Sequence, residues 1–305
     1  GWTGTLSQRN VAVGNSTMVG AMDDADYNIC MGYGALSVLT TGSYNTSLGY
    51  GSGGNMTTGE YNTFVGADAG DAITIGVRNT AVGRHSLSET IDVDHVVAIG
   101  YNALGGAALT VGTSNADGTV GVGYNVMEAL TSGHGNVAIG FEALKEHNTG
   151  SRNIAIGYQA NHDTGANDCP TSTDNMFIGY QAGGGTWTTN DSNFNISIGN
   201  YVMDAVMNDA LQNTALGYNA LSALTTGNRN CAVGMNALQA VTSGQSEGNV
   251  AIGFAAAGSL TTGDRNVVIG GAALDSSNTA TSSVVVIGCR AADAITGTAA
   301  DGTVA

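Results

Sequence analysis

The chain has almost no proline. A single Pro170 stands among 305 residues, so nothing systematically interrupts a backbone ladder. Basic residues are also scarce, 8 against 24 acids, for a net charge of −16. Direct nucleic-acid binding needs a basic footprint and is excluded on that ground. The four cysteines, Cys30, Cys169, Cys231 and Cys289, form no CxxC pair, which argues against zinc and redox centres. No apolar run approaches the ~20 residues of a membrane span, so membrane insertion is not expected. There is no leader-like start, and residue 1 is Gly. The chain therefore reads as a processed or trimmed product.

What is abundant is glycine, 47 residues, within a chain that is 42% hydrophobic. A disordered linker would not carry that much apolar material. Glycine accepts positive φ at corners, so the composition points to tightly turning β structure.

The glycines are periodic. Gly14, Gly32, Gly49, Gly66, Gly83 and Gly100 open a series that continues from Gly123 to Gly288. The base step is about 17 residues, lengthened where a loop is inserted. Asn136 to Leu144 gives the consensus as Asn-Val-Ala-Ile-Gly-Phe-Glu-Ala-Leu, and Leu224-Thr225-Thr226-Gly227 supplies its end. The residue before the anchor Gly is large and aliphatic or Met, the one two before is mostly small, and the one three before is mostly Val, Ile or Thr. This period-2 alternation predicts one short strand per repeat. A second short strand is expected on the Tyr-x-Ala-Leu segment, with Thr-Thr-Gly as the return corner.

Seventeen residues are too few for a helix-containing repeat and suit one coil of a β-solenoid. The predicted fold is all-β, a parallel solenoid of about 16 coils spanning 1–305 as one domain. At ~4.8 Å per coil it would form a rod roughly 75 Å long. Stacking is expected to bury the large aliphatic face that no single coil can bury. The small-residue face either lines the coil interior or lets copies approach closely. Four residues before the anchor Gly stands a column of asparagines: Asn10, Asn28, Asn45, Asn62, Asn79, Asn136, Asn153, Asn175, Asn195, Asn213, Asn230, Asn249 and Asn266. Stacked asparagines hydrogen-bond to their copies above and below, so this column is read as a structural ladder.

Two further columns stand out. Tyr or Phe often follows the anchor Gly, as at Tyr33, Tyr50, Tyr101, Tyr124, Phe141 and Tyr158. Such a column is either a packing ladder or a carbohydrate-binding stripe. Arg9, Arg78, Arg152, Arg229 and Arg265 each precede a ladder Asn, which suits pairing with nearby acids or a sparse polyanion stripe.

The run Leu224-Thr-Thr-Gly-Asn-Arg-Asn-Cys-Ala-Val-Gly-Met-Asn-Ala-Leu238 resembles repeats of bacteriophage tail-fibre and tailspike proteins. The Asn-x-Ala-Ile-Gly core is also similar, more distantly, to head repeats of trimeric autotransporter adhesins. Those heads are left-handed parallel β-rolls with a shorter repeat. The resemblance covers nearly the whole chain. It implies a homotrimer, a place on a virion or another extracellular surface, and a structural role in host attachment. A bacterial adhesin or self-assembling extracellular filament is the alternative, and a glycan-cleaving tailspike a third. Both ends fall inside a repeat, which suggests a piece of a longer fibre or copies stacking end to end.

Little chemistry is legible. Five scattered histidines (His85, His95, His134, His147, His162) form no metal column, and their adjacent carboxylates point to opposite strand faces, so no enzyme is expected. Oxygen-rich loops carry Asp23, Asp24 and Asp26, and Asp163, Asp168 and Asp174. Calcium is the only cofactor such loops suggest, although none has the full alternating ligand spacing. Loop inserts near 105–118, 161–174 and 183–194 break the beat, and projecting loops carry specificity. Trp187 in the third is the candidate contact for a host-surface glycan or protein receptor.

Overall fold

The computed structural model describes residues 7–89, 92–106, 116–162, 171–187, 190–242, 246–275 and 280–292. The chain forms two compact units, Gly1–Arg152 and Asn153–Ala305. Unit 1 holds β1 (Val11–Val13), β2 (Ile29–Met31), β3 (Thr46–Leu48), β4 (Thr63–Val65), β5 (Thr80–Val82), β6 (Val97–Ile99), β7 (Val120–Val122) and β8 (Val137–Ile139). Unit 2 holds β9 (Ile154–Ile156), β10 (Met176–Ile178), β11 (Ile196–Ile198), β12 (Thr214–Leu216), β13 (Cys231–Val233), β14 (Val250–Ile252), β15 (Val267–Ile269) and β16 (Val285–Ile287). Within each unit the strands pair in chain order, parallel and in register, one per coil. The fold is thus an all-β parallel solenoid with a spacing of about 17 residues, and no helix occurs among the described residues.

The alternation along each strand is as expected, but its direction is reversed. The small mid-strand residues face inward: Ala81, Ala98, Ala138, Ala215 and Ala251 are fully buried. The large aliphatics on either side face outward. Ile29 is 47% exposed, Met31 54% and Ile287 60%, so coil stacking does not bury that face. The reason is room. Each coil has one short strand, and the space it encloses is filled by the asparagine, the small strand residue and a few aliphatics from the turn.

Those aliphatics come from the return corner, as at Leu39, Leu130 and Leu224, and from the Tyr-x-Ala-Leu segment, which is turn and not the expected second strand. Its residues alternate into the left-handed region: Asn102 and Leu104 both have φ 54°, and Glu142 and Leu144 have φ 53° and 51°. That alternation brings consecutive residues to one side, so Ala103 with Leu104 and Ala143 with Leu144 are all buried. Backbone hydrogen bonds still run from coil to coil here, as in Leu104 N–H to the Val126 carbonyl at 2.9 Å and Met127 N–H to that of Ala143 at 3.1 Å. The backbone polar groups are therefore satisfied without a strand.

The anchor glycines end the strand at φ near +135°, for example +132° at Gly100, where an added Cβ would lie 2.1 Å from the Gly123 carbonyl oxygen of the next coil. Backbone conformation and close approach both demand glycine there.

The asparagine ladder runs through the interior. Asn45 Oδ1 accepts from the Asn62 backbone N–H at 2.9 Å and from Asn62 Nδ2 at 3.1 Å. Asn62 Nδ2 also donates to the Gly76 carbonyl at 2.8 Å, at the return corner. The pattern recurs from Asn28 to Asn45, from Asn195 to Asn213 and from Asn249 to Asn266. Each side chain thereby ties its own strand entry to the coil before and to the corner after. A buried polar network that is fully satisfied adds stability and fixes register.

Candidate interaction surface

Four outward columns run side by side over each coil: the residue before the ladder Asn, the two outward strand residues, and the residue after the anchor Gly. In the coil of β2 these are Tyr27, Ile29, Met31 and Tyr33, all exposed. The flanking residues of the sixteen strands are Val, Ile, Leu, Met and Thr, with Cys231 the one cysteine, and none is charged.

The corner column adopts left-handed backbone throughout, with φ 58° at Arg9, 59° at Tyr27, 61° at Tyr44, 59° at Tyr61 and 58° at Arg78. This conformation fans the side chains outward one above another. Tyr27 and Tyr44 stack with centroids 4.8 Å apart, and Tyr44 and Tyr61 at 4.9 Å with planes within 5°. The Arg9 guanidinium covers the outer face of Tyr27 at 5.0 Å, and that of Arg78 covers Tyr61 at 5.7 Å. Both ends of the stack are thus capped by cation–π contacts. Burial by its neighbours, then the adjacent tyrosines and Asp26, raises the Tyr44 hydroxyl pKa above its ordinary value.

The column after the anchor glycines behaves alike. Tyr33 stacks on Tyr50 at 5.5 Å, Tyr101 on Tyr124 at 5.4 Å, Tyr124 on Phe141 at 5.2 Å, and in unit 2 Tyr158 on Tyr180 at 5.2 Å. The expected packing ladder is present. In these pairs the ring faces that a sugar would stack on are turned toward neighbouring rings, whereas Tyr180–Tyr201 and Tyr201–Tyr218 meet edge to face at 66° and 81°. The arginines divide between two roles, of which only pairing with acids was expected. Arg9 and Arg78 lie over rings, whereas Arg229 and Arg265 stand 3.8 Å from Glu247 and Asp264. These four charged residues and Gly248 line a shallow cavity of about 290 Å³.

The acidic loops do not converge. Asp23 and Asp24 are exposed. Asp26 Oδ1 accepts the Gln8 backbone N–H, tying one corner to the next. Asp174 occupies the corner column beside Thr173. Asp163, Asp168, Cys169 and most of the inserts near 105–118 and 161–174 lie outside the described residues. Among the described residues no group of three or more His, Cys, Asp and Glu could hold a metal.

Trp187 is not displayed to solvent. It is 1% exposed, its Nε1 donates to the Gly183 carbonyl at 3.2 Å, and its ring meets the edge of Phe177 at 5.6 Å. The proposed receptor contact is therefore a core residue of unit 2. Gly183 opens the space: an added Cβ there would lie 2.4 Å from the Phe177 ring. Two large aromatics fill the interior where other coils use leucine.

What sequence reasoning missed is the outward aliphatic face itself. The chain matches no protein-family model, and none of the curated proteins is significantly similar to it.

Proposed function

We propose that this chain is a structural fibre segment of a phage virion, a tail fibre or related appendage, that supports host attachment. The observation that carries the reading is the unbroken repetition of one coil. A strand and its anchor glycine recur with each coil, and a ladder asparagine in all but the coils of Val96, Thr119 and Val284, so most adjacent coils are locked by the same contacts and each unit is built as a stiff spacer. The resemblance of its repeat run to those of phage fibre proteins supports the same reading, as does a surface of stacked rings and aliphatics. Its partners on this reading are further copies of itself, as a homotrimer or end to end, and a glycan or protein on the host surface. Its place is the virion or an extracellular surface, and its role is mechanical, not enzymatic.

A bacterial adhesin or self-assembling extracellular filament is the second reading, favoured by the exposed apolar face. Antibodies raised against the chain separate the two in electron micrographs. Label on phage appendages supports the first reading. Label confined to bacterial surfaces or free filaments overturns it. Release of reducing ends from host polysaccharide would move the assignment to a glycan-cleaving tailspike.

A further inference from the structure

We propose that the outward strand face of each unit is the surface on which a second copy of this chain packs, sheet against sheet. The inference builds on the self-association in the fibre reading and assigns it to particular residues.

The face is chemically one-sided. In a chain with 32 charged residues by its own composition of 8 bases and 24 acids, no charge falls on either outward strand position. Val13, Met31, Ile99 and Ile139 in unit 1, and Ile198 and Ile252 in unit 2, are each more than a third exposed. Most of the remaining outward positions are half-buried. With two uncharged outward residues on each of eight coils, a unit offers on the order of 1,000 Å² of uncharged surface, against the ~800 Å² per partner of a standard interface. Monomers tolerate contiguous apolar patches of only a few hundred Å².

The occupant follows from the surface. Nucleic acid is repelled by the net charge. A sugar finds no ring face and few hydrogen-bonding groups on the aliphatic columns. A second copy presents the same columns at the same coil spacing, so contacts at one coil recur at all of them, at the ~10 Å separation of packed sheets. Arg9, Arg78, Arg229 and Arg265 border this face in the corner column, which gives the polar rim of an interface around an apolar centre.

The test is sedimentation of the full chain beside Ile139→Lys/Ile252→Lys, with Thr41→Lys/Thr58→Lys as a charge-matched control at the exposed return corner. Circular dichroism confirms that the coils persist. The native chain is expected to sediment as a multiple, the face variant as a single copy, and the control like the native chain. Cys231 is an internal probe, since it occupies an outward position of β13. Its alkylation should be slow in the assembly and accelerate at least tenfold in the face variant. A native chain that sediments as a single copy, or that captures vesicles, polysaccharide or a different protein through this face without self-associating, overturns the proposal. So does a face variant that keeps the native mass. Loss of the fibre reading is a separate outcome. A chain absent from virions that still associates through this face keeps the inference, and a single-copy chain found in virions keeps only the fibre reading.

Discussion

A Cβ added to Gly70 would lie 2.7–2.8 Å from three atoms of the Phe64 ring. Phe64 occupies the mid-strand position that is Ala81 in the next coil, and Gly70 the turn position that is Leu87 there. The two columns exchange volume within a fixed interior. Gly70→Leu is therefore expected to destabilise by roughly 2–3 kcal/mol through overpacking, and Phe64→Ala by roughly 3–5 kcal/mol through a cavity. The double variant restores the arrangement of the neighbouring coil, where Leu87 holds φ 54° without difficulty. Its loss of urea-unfolding free energy should be smaller than the sum of the two single losses by more than 1 kcal/mol. Strict additivity would show that the two residues do not share one space.

The asparagine ladder makes a second prediction. Asn62→Ala leaves the Asn79 backbone N–H, bonded at 2.9 Å to Asn62 Oδ1, and the Gly76 carbonyl without partners. Two orphaned buried groups should cost roughly 2–4 kcal/mol in urea unfolding. Asn62→Asp sets a carboxylate against the Asn45 oxygen and the Gly76 carbonyl, both acceptors, which raises its pKa. The raised value means the acid form fits and the anion does not, so this variant should regain stability as pH falls from 7 to 4. A variant equally stable at both pH values would show that the ladder is not closed to charge.

The period, the strand before each anchor glycine and the asparagine column were legible because most coils must supply the same contacts to their neighbours. The direction of the strand was not, because alternation separates two faces without saying which is inside. The deciding signal was size. Most inward positions are small, as at Ala81, Ala98, Gly121 and Ala138, while the outward positions are the larger Thr80, Val97 and Ile139. Where the volume jumps, at Phe64 and Phe177, glycine answers at Gly70 and Gly183. The same compensation, Gly183 beside Phe177, is the signal that would have placed Trp187 in the interior. The missing second strand was hidden in a different way, since left-handed backbone at Leu104 and Leu144 defeats an expectation that assumes side chains alternate.

Asp71 gives a pH-dependent test. Burial first, then Asp68 and Glu89, push its carboxyl from 3.8 up to about 6, with a backbone hydrogen bond and then His85 opposing. A pKa raised in the folded state means stability is full below the unfolded value and is lost as pH rises through the folded one. The loss falls between about pH 4 and 6. Solvent around this half-buried group holds it to the order of 1 kcal/mol. Asp71→Asn should remove that component, so the difference between native and variant unfolding free energies should grow in the variant's favour across the window. A constant difference would show that Asp71 titrates normally.

The aromatic column after the anchor glycines is interrupted at Ala67, between Tyr50 and Arg84. On one side Tyr50 stacks on Tyr33. On the other, the Arg84 guanidinium lies over Tyr101 at 5.8 Å. Two coil steps separate Tyr50 from Arg84, about 9.6 Å, which accommodates one ring at stacking distance from each. Ala67→Tyr should join the two segments into one stack. With a new ring pair and a new cation–π contact, urea unfolding should show a gain of about 1 kcal/mol. Ala67→Leu adds comparable apolar bulk without a π face and should gain less. Equal gains from Tyr and Leu would mean that the columns stabilise the coils by covering surface alone, and that stacking between rings contributes nothing of its own.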